Sequence, residues 1–132
     1  MTSTRQSLGR WGERVAEEYL RQRGYTILER NARTPHGELD LVTRQEAPVS
    51  PGHPDLEPVT VFVEVKTRRT NTFGHPEESV TARKQAHLLA AAQYYLQSHP
   101  QLEGVWRIDV IAIERYHPLG EPAIHHFENA VN

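Results

Sequence analysis

Between Ser7 and Arg23 the apolar residues Leu8, Trp11, Val15, Ala16, Tyr19 and Leu20 return every three or four positions, the spacing that lines one face of an α-helix. Gly24 follows and stops it, since glycine readily takes the left-handed backbone of a helix end. The period then shortens. Tyr25–Arg33, with Ile27 and Leu28, reads as a short strand, and Thr34-Pro35-His36-Gly37 as the turn that closes it. Glu38–Arg44 alternates, which puts Leu39 and Leu41 on one face and Glu38, Asp40 and Val42 on the other. Val59–Thr67 is the strongest strand pattern in the chain, with Val61, Val63 and Val65 on one face and Phe62, Glu64 and Lys66 on the other. Val80–Gln97 predicts a second long helix around Ala90-Ala91-Ala92 and Tyr94-Tyr95. Val105–Glu114 predicts a further strand, and Ala123–Phe127 an edge strand.

Gln45–Pro58 has no apolar period and holds four of the nine prolines, so a mobile hairpin loop is expected there. The order helix, strand, strand, strand, helix, strand, strand calls for one mixed β-sheet flanked by α-helices, of α/β or α+β class. The second helix is long enough to be the crossover between parallel strands. With 132 residues the chain has the length of a single domain, 1–132.

Composition removes several chemistries. There is no cysteine, hence no disulfide, thiol nucleophile or cysteine-type zinc site, in keeping with a reducing compartment. No apolar run nears the roughly 20 residues that cross a bilayer, and Met1–Arg10 is polar rather than signal-like, so a cytoplasmic protein without a membrane partner is expected. Nucleotide-binding glycine loops, the Gly-x-Ser-x-Gly elbow and His-Glu-x-x-His are all missing. The formal net charge is −2, so any site for a polyanion must be a local patch. The basic residues are nearly all arginine and the acids nearly all glutamate. Lys66, Lys84 and the few aspartates therefore draw attention first.

Glu64-Val65-Lys66 places a carboxylate and an ammonium two positions apart on one strand face. If the strand of Asp40 pairs with it across the proline-rich stretch, Asp40 and Glu64 can offer hard oxygen ligands to one divalent ion while Lys66 reaches a phosphate or an attacking water. That set suits phosphodiester hydrolysis. The same tripeptide is equally at home as an exposed ion pair worth less than about 1 kcal/mol. Glu13 flanks the apolar stripe of the first helix, either facing the acidic end of the sheet or simply solvated. Glu38 shares the Asp40 face but lies beside the turn, and Asp109 reads as a buried acid satisfied by Arg107, a backbone group or a helix terminus. Positive charge is locally concentrated, Arg68 and Arg69 continuing the Lys66 strand and Arg83 and Lys84 opening the second helix, whose dipole would assist phosphate binding there; the same residues could form a solvated cluster.

The stretches Gly9–Leu20, Gly24–Arg33, Gly37–Val42, Val61–Arg68 and Phe73–Glu77, followed by Lys84 and Arg107–Val110, resemble in this order the bacterial YraN family, over Leu8 to about Ile113. That family is similar to the archaeal Holliday-junction resolvases. The resemblance implies the restriction-endonuclease-like core of the PD-(D/E)xK nucleases, with Asp40, Glu64 and Lys66 as the catalytic set and Glu13 as a helix-borne acid completing the metal site. It further implies Mg²⁺ or Mn²⁺, a branched or structured DNA substrate, phosphate contacts by Arg68 and Lys84, and a homodimer. Leu39 stands where the superfamily name has proline, and the stretch between Asp40 and Glu64 is longer than the family pattern. Two other functions fit the same resemblance: a DNA-binding or repair scaffold without catalysis, and a protein-interaction module on an inherited fold.

Overall fold

A strand with branched residues on both faces must be covered on both sides, and the two helices divide that task. A computed structural model describes residues 4–46, 57–69, 80–116 and 119–132. The elements run α1 (Thr4–Gln22), β1 (Tyr25–Thr34), β2 (Gly37–Gln45), β3 (Val59–Arg68), α2 (Ala82–Ser98), a 3₁₀ turn at Pro100–Leu102, β4 (Trp106–Glu114) and β5 (Ala123–Phe127). One sheet has the strand order β1-β2-β3-β4-β5. β3 and β4 are parallel, with α2 as their crossover, and every other neighbouring pair is antiparallel. The mixed sheet flanked by helices, an α/β fold, is the one the hydrophobic pattern predicts. Element ends differ slightly: Val80 lies outside α2, because Thr81 is the cap and its hydroxyl accepts from Lys84 N–H at 3.2 Å. Most of the proline-rich stretch (47–56) and the segment with Phe73–Glu77 (70–79) lie outside the described residues.

α1 lays Ala16 and Leu20 on Leu41, Val61, Val63, Ile111 and Ile113, while α2 lays Leu88, Ala91, Ala92 and Tyr95 on Val42, Phe62, Ile108 and Val110. The valine face of β3 thus meets α1 and its Phe62 face meets α2. One element departs from simple alternation. Leu39 belongs to the α2 side and Leu41 to the α1 side, so the expectation that they share a face is corrected. The cause lies on the neighbouring strand, where Asn31 has φ +50, a left-handed conformation that asparagine tolerates better than most residues. It reverses the facing of β1, so that Arg30 reaches Glu17 on α1 while Ala32 enters the α2-side core. β2, paired through Arg30↔Leu41 and Ala32↔Leu39, reverses with it. Asp40 is the residue between.

The α1 face of the sheet also buries a polar network. Asp109 is fully buried and accepts from Arg107 Nε (2.9 Å), from the backbone N–H of Asn129 (2.8 Å) and at 2.8 Å from His126 Nε2. Burial alone would raise its pKa, and these hydrogen bonds together hold it below the ordinary aspartate value. Asp109 is therefore the satisfied structural acid expected from the sequence. His125 and His126 face opposite ways, His125 Nε2 lying 3.7 Å from Glu114. Among the described residues no helix is long and apolar enough to cross a membrane.

α1 crosses β3 at Gly12. A β-carbon there would lie 2.0 Å from Thr67 Oγ1 and 2.9 Å from Thr67 Cγ2, closer than atoms can pack. Gly12→Ala is expected to lower stability by about 1–3 kcal/mol in urea unfolding, and adding Thr67→Ala should return most of it. An unchanged unfolding midpoint for Gly12→Ala would mean that α1 does not sit against β3 in this way.

Candidate functional site

Register brings the predicted residues together where β2 leaves β3. Paired positions run from Gln45↔Val59 to Leu41↔Val63. Beyond them the reversal of β2 turns the Asp40 side chain toward the neighbouring strand, and its Oδ2 accepts from Val65 N–H at 2.8 Å. A side chain thus takes a backbone donor that would otherwise be left unpaired by the diverging strand. Two residues along β3 from Phe62, Glu64 follows it out of the core. The Glu64 side chain is only 6% exposed.

Lys66 Nζ lies 3.7 Å and Lys84 Nζ 3.5 Å from the same oxygen, Glu64 Oε1. Oε2 is buried with no hydrogen-bond partner. From the opposite side α1 brings Glu13, which is hydrogen-bonded to the Asn31 side chain and lies within electrostatic reach of Glu38 and Glu64. Four residues on, Glu17 is held by Arg30 (Nε to Oε2, 2.8 Å) and Arg21 (2.5 Å). Its pKa is lowered, chiefly by the Arg30 hydrogen bond. β1 therefore fixes two successive acids on one face of α1, using Arg30 for one and Asn31 for the other.

The acids of the pocket titrate differently from Glu17. Asp40 is pushed up to about 7, first by burial and then by the Glu64 charge, against the Val65 N–H; Glu13 adds to the rise and Lys84 opposes it. Glu13 is also raised, by burial first and by Glu38 next. Crowded like charges in a partly desolvated cluster favour the protonated forms. Unfavourable in isolation, that is the arrangement functional sites exploit.

Asp40, Glu64, Lys66 and Glu13 are thus gathered at one end of the sheet, and Lys84 joins them by pairing with Glu64. Arg83 and Arg69 are exposed, and Arg68 is half-buried, its carbonyl accepting from Arg115 N–H at 2.8 Å. Asn31 is the residue that strand periodicity alone leaves unmarked. Its signal was an asparagine inside a strand run, a type suited to left-handed backbone. Among the described residues no three His, Cys, Asp or Glu side chains stand close enough together to hold one ion as they are.

The class of this molecule is an α/β fold, a mixed five-stranded sheet flanked by two helices, with Asp40 and Glu64 beside two lysines at one end of it. The chain belongs to the uncharacterised protein family UPF0102, whose family model matches residues 12–113, the family that the sequence resembles under the name YraN. The match includes Glu13, Asp40, Glu64, Lys66 and Lys84. A UPF0102 protein of Syntrophotalea carbinolica is 45% identical over 130 residues, 98% of this chain and 95% of that protein. One from Syntrophomonas wolfei is 48% identical over 106 residues, 80% of this chain and 83% of that one, and one from Dehalococcoides mccartyi 39% identical over 131 residues, 99% and 98% of the two chains. The solved structure of Pyrococcus furiosus SfsA in complex with Ca²⁺ is a remote likeness, at 14% identity and a TM-score of 0.37, covering 92% of this chain and 62% of that one. Similarity at that level does not define a shared fold.

The raised Asp40 pKa fixes a pH dependence. An ordinary aspartate ionises near 3.8 and this one near 7, so between those values the folded protein keeps a proton that the unfolded chain has released. Stability is then undiminished by this group below about 3.8, falls as pH rises from there to about 7, and stays lower above. Asp40→Asn keeps an oxygen for the Val65 N–H and removes the penalty; it is expected to be more stable than wild type at pH 8 by about 1–3 kcal/mol, with little difference at pH 4. Urea midpoints at the two pH values check this. Equal midpoints at pH 8 would show that ionising this carboxyl costs the fold nothing and that its pKa is not raised.

Proposed function

We propose that this protein is a metal-dependent endonuclease acting on structured or branched DNA, with Asp40, Glu64 and Lys66 as its catalytic residues and Glu13 as a further acid of the metal site. The observation that carries the reading is Glu64: a buried carboxylate with one oxygen lacking any partner, next to a second carboxylate aimed between strands and a lysine two residues on. A buried polar atom left unsatisfied costs roughly 1–3 kcal/mol and calls for a functional account. The donor set is all carboxylate oxygen, the choice of hard cations such as Mg²⁺ or Mn²⁺. The acids lie within electrostatic reach of one another but do not form a closed ligand set among the described residues, so the side chains must adjust around an ion.

Glu13, Asp40 and Glu64 are the residues that would hold it. When bound, the ion would supply charge neutralisation at the scissile phosphate and a lowered pKa for an attacking water. The chain's own residues do the rest. Val65 N–H fixes Asp40 in place before substrate arrives, so its orientation costs nothing during the reaction. Lys66 holds a positive charge beside the pocket, where it can orient the water or stabilise the developing negative charge. Arg68, Arg69, Arg83 and the N-terminal end of α2 offer positive charge to flanking phosphates, and a homodimer would present two such pockets to paired strands.

Cleavage of a labelled four-way junction, compared with linear duplex and single strand in low salt with Mn²⁺ or Mg²⁺, tests the proposal. Metal-dependent cuts by the wild type are expected, falling by about 100-fold or more in Glu64→Ala, and rising with pH through about 7 as Asp40 loses its proton. Junction binding by both proteins with no cut by either would sink catalysis and favour the DNA-binding scaffold. Absence of both DNA binding and divalent-ion binding would favour the interaction module.

A further inference from the structure

Lys84 stands where a helix least favours it. The first turn of α2 holds Arg83 and Lys84 and no acid, although the positive end of a helix dipole favours negative side chains. Its ammonium is nonetheless turned to Glu64 Oε1 at 3.5 Å. Lys66 already approaches that same oxygen at 3.7 Å, so two cations from different elements share one oxygen while Oε2 remains without a partner. One buried carboxylate needs one compensating charge. Asp40 from β2 and Glu13 from α1 are the other charged groups facing Glu64. The lysines also differ in freedom. Lys66 is anchored within β3, two residues from Glu64, with a side chain 29% exposed, whereas Lys84 reaches in from a helix end with a side chain 41% exposed.

We infer that Lys84 is an exchangeable counter-ion of Glu64, occupying the carboxylate in the free protein and yielding it when a divalent cation binds. The inference rests on the metal-dependent reading above. It assigns to Lys84 a positioning role, distinct from the phosphate contact implied by the family resemblance. An ion entering the pocket must displace an ammonium as well as shed water, so its affinity for the free protein is lower than the acids alone would give.

Mn²⁺ titration without nucleic acid, followed by calorimetry and by thermal unfolding, tests this on the wild type, Lys84→Met and Lys84→Arg. Without ion, Lys84→Met is expected to melt close to wild type, because Lys66 still compensates the Glu64 charge; a large fall in its Tm would make Lys84 a fixed structural partner and overturn the exchange. The Mn²⁺ affinity of Lys84→Met is expected to be about ten-fold higher than wild type, with a larger rise in Tm on Mn²⁺ addition, while Lys84→Arg stays close to wild type. Equal affinity in wild type and Lys84→Met, or a weaker one in the variant, would overturn the inference and leave the metal site standing. Absence of Mn²⁺ binding in both would overturn the exchange together with the metal-dependent reading.

Discussion

The structure turns on one backbone donor. Where β2 parts from β3, the Val65 N–H has no strand carbonyl opposite it, and a strand this deep in the protein cannot leave such a group unpaired. Asp40 meets the need with Oδ2. That hydrogen bond requires the aspartate side chain to lie toward its neighbouring strand, which requires the facing of β2 to reverse between Leu39 and Leu41. The reversal in turn requires a partner on β1 able to reverse with it, and Asn31 at φ +50 is that partner. The same asparagine then reaches Glu13 on α1. Backbone geometry and acid placement are consequently one problem with one solution.

Two sets of wholly or partly buried acids contrast. Glu17 and Asp109 are enclosed by donors and have lowered pKa values; they tie α1 to β1, and β4 to the segment after β5. Asp40 and Glu13 have raised ones, and Glu64 keeps an oxygen with no partner. The first group stabilises the fold by satisfying every charge it buries. The second carries unfavourable charge that the surrounding packing must offset. Gly12 permits the closest of that packing, letting α1 press on Thr67 beside the pocket.

Periodicity made much of this legible. The alternating valines of β3 assign Glu64 and Lys66 to one face correctly, because a strand buried on both sides holds strict alternation. The parallel β3–β4 pair follows from the length of α2. Leu39 and Leu41 escaped the same logic: alternation presumes a regular strand, and one left-handed residue on the adjoining strand was enough to break it. The sequence marks Lys84 as a cation near the helix start, yet its pairing with Glu64 depends on where α2 docks, which local sequence does not encode. Arg83, beside it, faces outward on the same turn.

Asn31 has a further consequence at the margin of the sheet. β1 is an outermost strand, and an outermost strand offers a row of free backbone groups to any chain able to extend the sheet. Here the row is interrupted twice, by the register shift between Ile27 and Glu29 and by the left-handed turn at Asn31. An incoming strand could match only one short piece of it at a time. The irregularity that aims an acid inward thus also closes this border of the sheet to uncontrolled addition of further chains.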